Sequence, residues 1–206
     1  KAERATLCHR IDFNTSGLVI LAKNRKSLEI LNELFKEREV NKYYLCIAVG
    51  NFNQRQGILK HYLIKDAVQS KVWVSVSPKI GAKKAIMEYR VLLEAKKLSL
   101  VECRLETGRT HQIRCQMAYI GHPLFGDERY GGTEILRGNR SSTYKAFVQN
   151  GLKICPRQAL HAQTLGFIHP TTGRQMDFTS PLPEDLSALL KRWRGFIKGN
   201  EHKTTI

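Results

Sequence analysis

Between residues 43 and 105 the sequence breaks into five short apolar segments, 43–49, 57–64, 72–76, 85–93 and 98–105, several rich in Val, Ile or Tyr and separated by Gly, Asn, Lys or Pro. Segments of this length between turn formers read as successive strands, mostly antiparallel. Helical spacing flanks the block. Leu28, Leu31, Leu34 and Phe35 share one face over 27–38, with Asn24 or Ser27 available as cap; Ile113, Met117 and Ile120 do so over 110–120, before the stop signals Gly121 and Pro123. The run 18–22 is a further strand candidate. Segments 160–168 and 175–179 flank His169-Pro-Thr-Thr-Gly173, a hairpin turn in which Pro and Gly supply the fixed and the permissive backbone angles. Over 184–197, Leu186, Leu189, Leu190, Trp193 and Ile197 form the stripe of a closing helix with a basic outer face. The Gly, Ser, Asn, Arg and Lys of 131–157 read as a long mobile insertion with a short apolar piece at 146–148. The expected fold is α+β, a large mixed, mainly antiparallel sheet flanked by helices and loops, in a single domain over 1–206.

Charge narrows the partners. Lys and Arg total 34 against 18 acids, a formal net charge of +16 on 206 residues, so a polyanion is expected and nucleic acid comes first. The basic residues are spread along the chain and form no amphipathic arm for a membrane surface. No apolar run approaches the ~18 residues of a membrane span. The five cysteines, Cys8, Cys46, Cys103, Cys115 and Cys155, contain no C-x-x-C pair, which argues for reduced thiols in a cytoplasmic or organelle-interior setting. The chain begins at Lys1, and a missing N-terminal part is expected.

Few residues can carry chemistry. Asp12 stands between His9-Arg10 and an Asn-Thr-Ser-Gly turn, where an acid more often caps backbone than reacts. Motifs of other enzyme classes are absent from the sequence: no G-x-S-x-G at Ser16, no H-E-x-x-H, no G-x-x-x-x-G-K-[ST] loop and no paired acidic motif for magnesium. The second stretch, 105–114, ends a strand in a Gly turn and starts a helix at Thr110. Its helix-start N–H groups with Arg109 and Arg114 make a corner suited to a phosphate or to a carboxylate such as Asp12; taken alone, Arg114 reads as a surface arginine. A third stretch, 42–50, heads an apolar strand with Tyr43 and Tyr44, aromatic faces that pack in a core or hold an unstacked base.

Taken in order, HRIDFNTSGLVILAK, KYYLCIAVG, ETGRTHQIRCQMAYIGHPLFGDERYG and ALHAQTLGFIHPTTG closely resemble the RluA-type pseudouridine synthase family, over residues 8 to about 183. The resemblance implies an isomerase that turns uridine into pseudouridine in structured RNA, ribosomal or transfer RNA, with no cofactor and no metal. It implies roles residue by residue. Asp12 is the reacting aspartate, Tyr44 packs against the target base, and Arg114 pairs with the aspartate. Arg10 enters the RNA stack where the base leaves it, and Ile113 floors the pocket. Arg109 and His111 join the RNA-binding set, while Thr15, Ser16 and Gly17 hold the loop. The family's opening strand and K-P-x-G loop do not precede His9. A monomer is expected.

Two rivals stand beside this reading: a catalytically silent RNA-binding module of the same fold, and a metal-dependent nuclease using Asp12 with His9 or His111. The other acids lack metal-ligand spacing. His111, His122, His161 and His169 fit structural hydrogen bonding better than ligation.

Overall fold

The computed structural model describes residues 4–66, 68–95, 97–134 and 142–201. Strand β4 (Asn41–Val49) is buried without a break from residue 44 to residue 48, the pattern of a strand covered on both faces. Its neighbours are β8 (Leu98–Leu105) and β9 (Leu160–Ile168). With β5 (Gln56–Asp66), β6 (Lys71–Ser75), β7 (Lys83–Ala95) and β10 (Gln175–Thr179), the antiparallel order is β10-β9-β4-β8-β7-β5-β6. Strand β2 (Ser16–Gly17) joins β9 in parallel, opposite His161 and Ala162. Strands β1 (Thr6–Leu7) and β3 (Leu21–Ala22) pair separately. The sheet is mixed and mainly antiparallel, as expected.

Alternation along β4 divides the core. Tyr44, Cys46 and Ala48 face Met87, Val101, Ile113 and Met117, below α2 (Gln112–Tyr119). Ile47 faces the other way, into a cluster with Phe125, Leu186, Leu189 and Trp193 that joins α3 (Ser142–Ile154) to α4 (Glu184–Glu201). Helix α1 (Arg25–Lys36) covers a smaller cluster, Leu31 with Val40, Leu165 and Phe167; Asn24 is its cap, accepting the Ser27 N–H at 2.8 Å. Among the described residues no helix is long and apolar enough to cross a membrane.

Three local expectations are corrected. Residues 142–154, read as part of a mobile insertion, form α3. Their polar composition hides an apolar face, and the Phe147 ring lies 4.8 Å from that of Trp193, with Phe147 and Val148 buried. Residues 135–141 of that stretch lie outside the described residues. The strand expected at 18–22 splits into β2 and β3, because the Leu18 N–H donates to Ala162 while the Ile20 N–H turns to His9. Helix α2 begins at Gln112 instead of Thr110, since His111 sits in the left-handed region at φ 53°.

One irregularity positions the site. Tyr43 lies opposite Thr164 but Tyr44 opposite Ala162, so Gln163 is an extra residue on β9, and its carbonyl accepts the Ser180 N–H at 2.8 Å. A bulge of this kind re-aims the side chains beside it.

Candidate active site

Asp12 opens a tight turn. The Thr15 N–H donates to the Asp12 carbonyl at 2.9 Å, and Asn14, at φ 67°, takes the left-handed position that Asn tolerates better than most residues. Gly17 follows at φ 115°, where a Cβ would stand 2.1 Å from the Ala162 carbonyl oxygen, so only glycine fits this approach to β9. The loop is tied down from outside. Arg157 binds Asp185 through Nε at 2.7 Å and Nη2 at 3.1 Å, and donates to the Asn14 carbonyl at 2.9 Å, the Leu160 carbonyl at 3.2 Å and Ser16 Oγ at 3.1 Å. Gln158 Nε2 donates to the Phe13 carbonyl and to Thr15 Oγ1. Arg157, Gln158 and Asp185 were not among the sequence candidates; the place of Arg157 and Gln158 just before ALHAQTL was their only local signal.

Arg114 is not a surface arginine. It is 6 % exposed and forms a two-pronged pair with Asp127, Nε to Oδ2 at 2.7 Å and Nη2 to Oδ1 at 2.9 Å. Its Nη1 lies 3.6 Å from Asp12 Oδ2. The expected partner, Asp12, is therefore an ion pair at longer range, and the hydrogen-bonded partner is Asp127, itself 1 % exposed and carried without a role in the GDERYG stretch. Burial works against the Arg114 charge, but the Asp127 bonds and both carboxylates raise its pKa above the ordinary value. The Tyr130 ring lies 5.1 Å from the guanidinium.

Asp12, Tyr44, Ile113, Arg10 and Arg109 line a common cavity of about 470 Å³. Tyr44 is 8 % exposed, and burial, with the nearby Asp12 charge, pushes its phenol up to about 12. Arg10 is exposed, and Arg109 Nε donates to the Lys84 carbonyl at 3.1 Å. His111 and Arg114 line a neighbouring cavity instead, together with Phe13 and Asn14 of the loop. The His111 Nδ1 meets the Tyr130 hydroxyl at 2.9 Å, and burial lowers the imidazole pKa. The late start of α2 thus turns His111 toward Tyr130, away from the cavity that holds Tyr44.

The other histidines are also engaged: His122 with the Val49 carbonyl, His161 with Ser16 Oγ and the Ser180 carbonyl, and His169 with the Thr171 and Thr172 N–H groups. Among the described residues no group of three or more His, Cys, Asp or Glu side chains is placed to hold a metal ion.

A bulged antiparallel sheet with an aspartate–arginine corner at its centre is the architecture of pseudouridylate synthase domains. The solved structure of human RNA pseudouridylate synthase domain containing 4 superposes with a TM-score of 0.73 at 26 % identity, covering 94 % of this chain and 77 % of that one. Residues 1–119 match the RNA pseudouridylate synthase family, and the chain belongs to that family, on its RluA-type side. An uncharacterized RNA pseudouridine synthase of Chlorobaculum parvum is 41 % identical over 200 residues, covering 96 % of this chain and 61 % of the relative. The ribosomal large subunit pseudouridine synthase D of Zymomonas mobilis is 39 % identical over 188 residues, covering 91 % of this chain and 56 % of the relative. The chain thus spans somewhat over half the length of these curated relatives.

Proposed function

We propose that this chain is the catalytic domain of an RNA pseudouridine synthase, with 1–206 acting as one unit and as a monomer on structured RNA. Ribosomal RNA is favoured by the name of the Zymomonas relative, with transfer RNA the other class. The observation that carries the reading is the Asp12–Arg114 pair at 3.6 Å beside a cavity that also holds Tyr44.

The chemistry suits so sparse a site. The N1–C1′ bond of uridine breaks, the uracil turns while held, and C5 bonds to C1′; no electron is gained or lost and no group is added. Asp12 either attacks C1′ or removes the 2′ proton to give a glycal. Arg114, held by Asp127, keeps a positive charge beside that carboxylate through the reaction. Tyr44 packs against the base. With its phenol pushed up to about 12 it is almost wholly neutral at pH 7, which favours a water over the phenolate as acceptor of the C5 proton. The target atoms lie inside a stack, so the nucleotide must be flipped out, with Arg10 filling the gap, Ile113 flooring the pocket, and Arg109 and His111 supporting the RNA around it. The +16 charge supports the affinity for a distorted backbone.

The test is release of tritium from RNA labelled at uracil C5, with and without EDTA. Release that EDTA leaves unchanged supports the isomerase. RNA binding with no release defeats it in favour of a silent module, and metal-dependent strand cleavage favours the nuclease.

A further inference from the structure

Lys42 heads the KYY stretch on β4, and its ammonium has no acidic partner among the described residues, although its side chain is buried to 7 % exposure. It lines the cavity that holds Asp12 and Tyr44. Its contact there is the Phe35 ring, 5.6 Å from Nζ. The other charged groups of that cavity are already matched: Glu106 pairs with Arg38 at 3.3 Å, Lys36 with Glu33 at 2.7 Å, and Asp12 with Arg114. Burial and the neighbouring Arg38 both lower the Lys42 pKa. A buried cation without a counter-ion costs several kcal/mol in an unliganded protein, so it is retained where a ligand supplies the missing charge.

We infer that Lys42 is a phosphate-binding residue that takes the backbone phosphate of the flipped nucleotide. The inference rests on the RNA-modifying reading above. Lys42 precedes Tyr44 by two positions, roughly 6.6 Å along a strand, which is comparable to the span between a uracil ring and its own phosphate. A base packed on Tyr44 therefore brings its phosphate to the Lys42 end of the cavity. Among the cavity's lysines and arginines Lys42 is the buried one, so contact requires a nucleotide that has entered. Phosphate, unlike a uracil carbonyl, provides a full negative charge to replace the missing partner.

The test uses in vitro transcribed, C5-tritiated large-subunit ribosomal RNA and the dependence of kcat/KM on KCl. Neutralising one phosphate contact changes the slope of log affinity against log salt by about one. Lys42→Met, close in shape and uncharged, is expected to lower that slope by about one and to raise KM about tenfold or more, with kcat little changed, because a contact made equally in ground and transition states acts on binding. Lys42→Arg is expected to keep the slope. The Tm of free Lys42→Met is expected to match or exceed that of the parent, since an uncompensated charge has been removed. An unchanged slope in Lys42→Met, or a Tm that falls with it, overturns the inference, the first pointing to a carbonyl contact and the second to a structural role. Should the parent protein release no tritium, the isomerase reading fails, and the same salt slopes taken by filter binding still decide the role of Lys42.

Discussion

Arg114 is bound to Asp127 by two hydrogen bonds, at 2.7 and 2.9 Å, and this pairing leaves its third nitrogen turned toward Asp12. The catalytic pair is thus a triad with a buried orienting carboxylate. Asp127→Asn keeps the shape but removes the charge, which frees Arg114 to close on Asp12 and tie it up. Tritium release should fall at least tenfold while RNA affinity changes little. Asp127→Ala should also lose about 3 kcal/mol or more of stability in urea unfolding, because it strands a buried guanidinium.

Arg157 holds the Asp12 loop through geometry as well as charge. A lysine in its place keeps the charge but not the fork that binds Asp185 while reaching the Asn14 carbonyl and Ser16. Misplacement of a reacting group by about 1 Å can cost about a hundredfold in rate. Arg157→Lys should lower kcat by ten- to a hundredfold, with KM within about twofold of the parent. A matching rise in KM would assign Arg157 to RNA binding instead.

Gly17 has no room for a methyl group. A Cβ at 2.1 Å from the Ala162 oxygen forces β2 away from β9. Gly17→Ala should cost about 1–3 kcal/mol, read as a drop in Tm of about 2–4 °C for each kcal/mol. Gly173, also at positive φ but with open space around it, should bear alanine with a smaller loss.

Acid should destabilise the fold through His9. Its Nε2 accepts the Ile20 N–H at 3.0 Å, its ring lies 4.6 Å from that of Phe35, and burial, with the Lys42 charge, lowers its pKa from 6.5 to about 4. Between those values the unfolded chain binds a proton on His9 and the folded one does not, so stability falls as pH drops from about 6.5 toward 4 and is restored above 6.5. His9→Gln should flatten part of that dependence in the urea midpoint. An unaltered dependence would place the proton uptake on other groups.

The sheet was legible because its segments carry their own punctuation. Residues 98–105, 160–168 and 175–179 are strands with the boundaries that their flanking turn residues suggest. Asp12, Tyr44, Ile113 and Arg114 stood out because their motifs are local, and the structure brings them to one corner. Helix α3 was hidden because its helicity depends on packing Phe147 and Val148 against a core that includes Trp193, a tertiary contact that outweighs a Ser- and Asn-rich composition. The supports of the site were hidden for a related reason. Arg157 meets Ser16 and Asn14 across 141 and 143 residues of sequence, and no short window contains both ends of such a contact. The displacement of His111 into the Tyr130 corner likewise depends on one left-handed residue that periodicity does not reveal.

The most direct measurement compares this chain with Asp12→Asn on RNA tritiated at uracil C5, with RNA affinity measured for both. The expected result is release by the parent alone, with affinities within about threefold, since the substitution removes a reacting group and spares the phosphate contacts. Tritium release by Asp12→Asn at a rate near that of the parent would contradict the assignment of the isomerisation to Asp12.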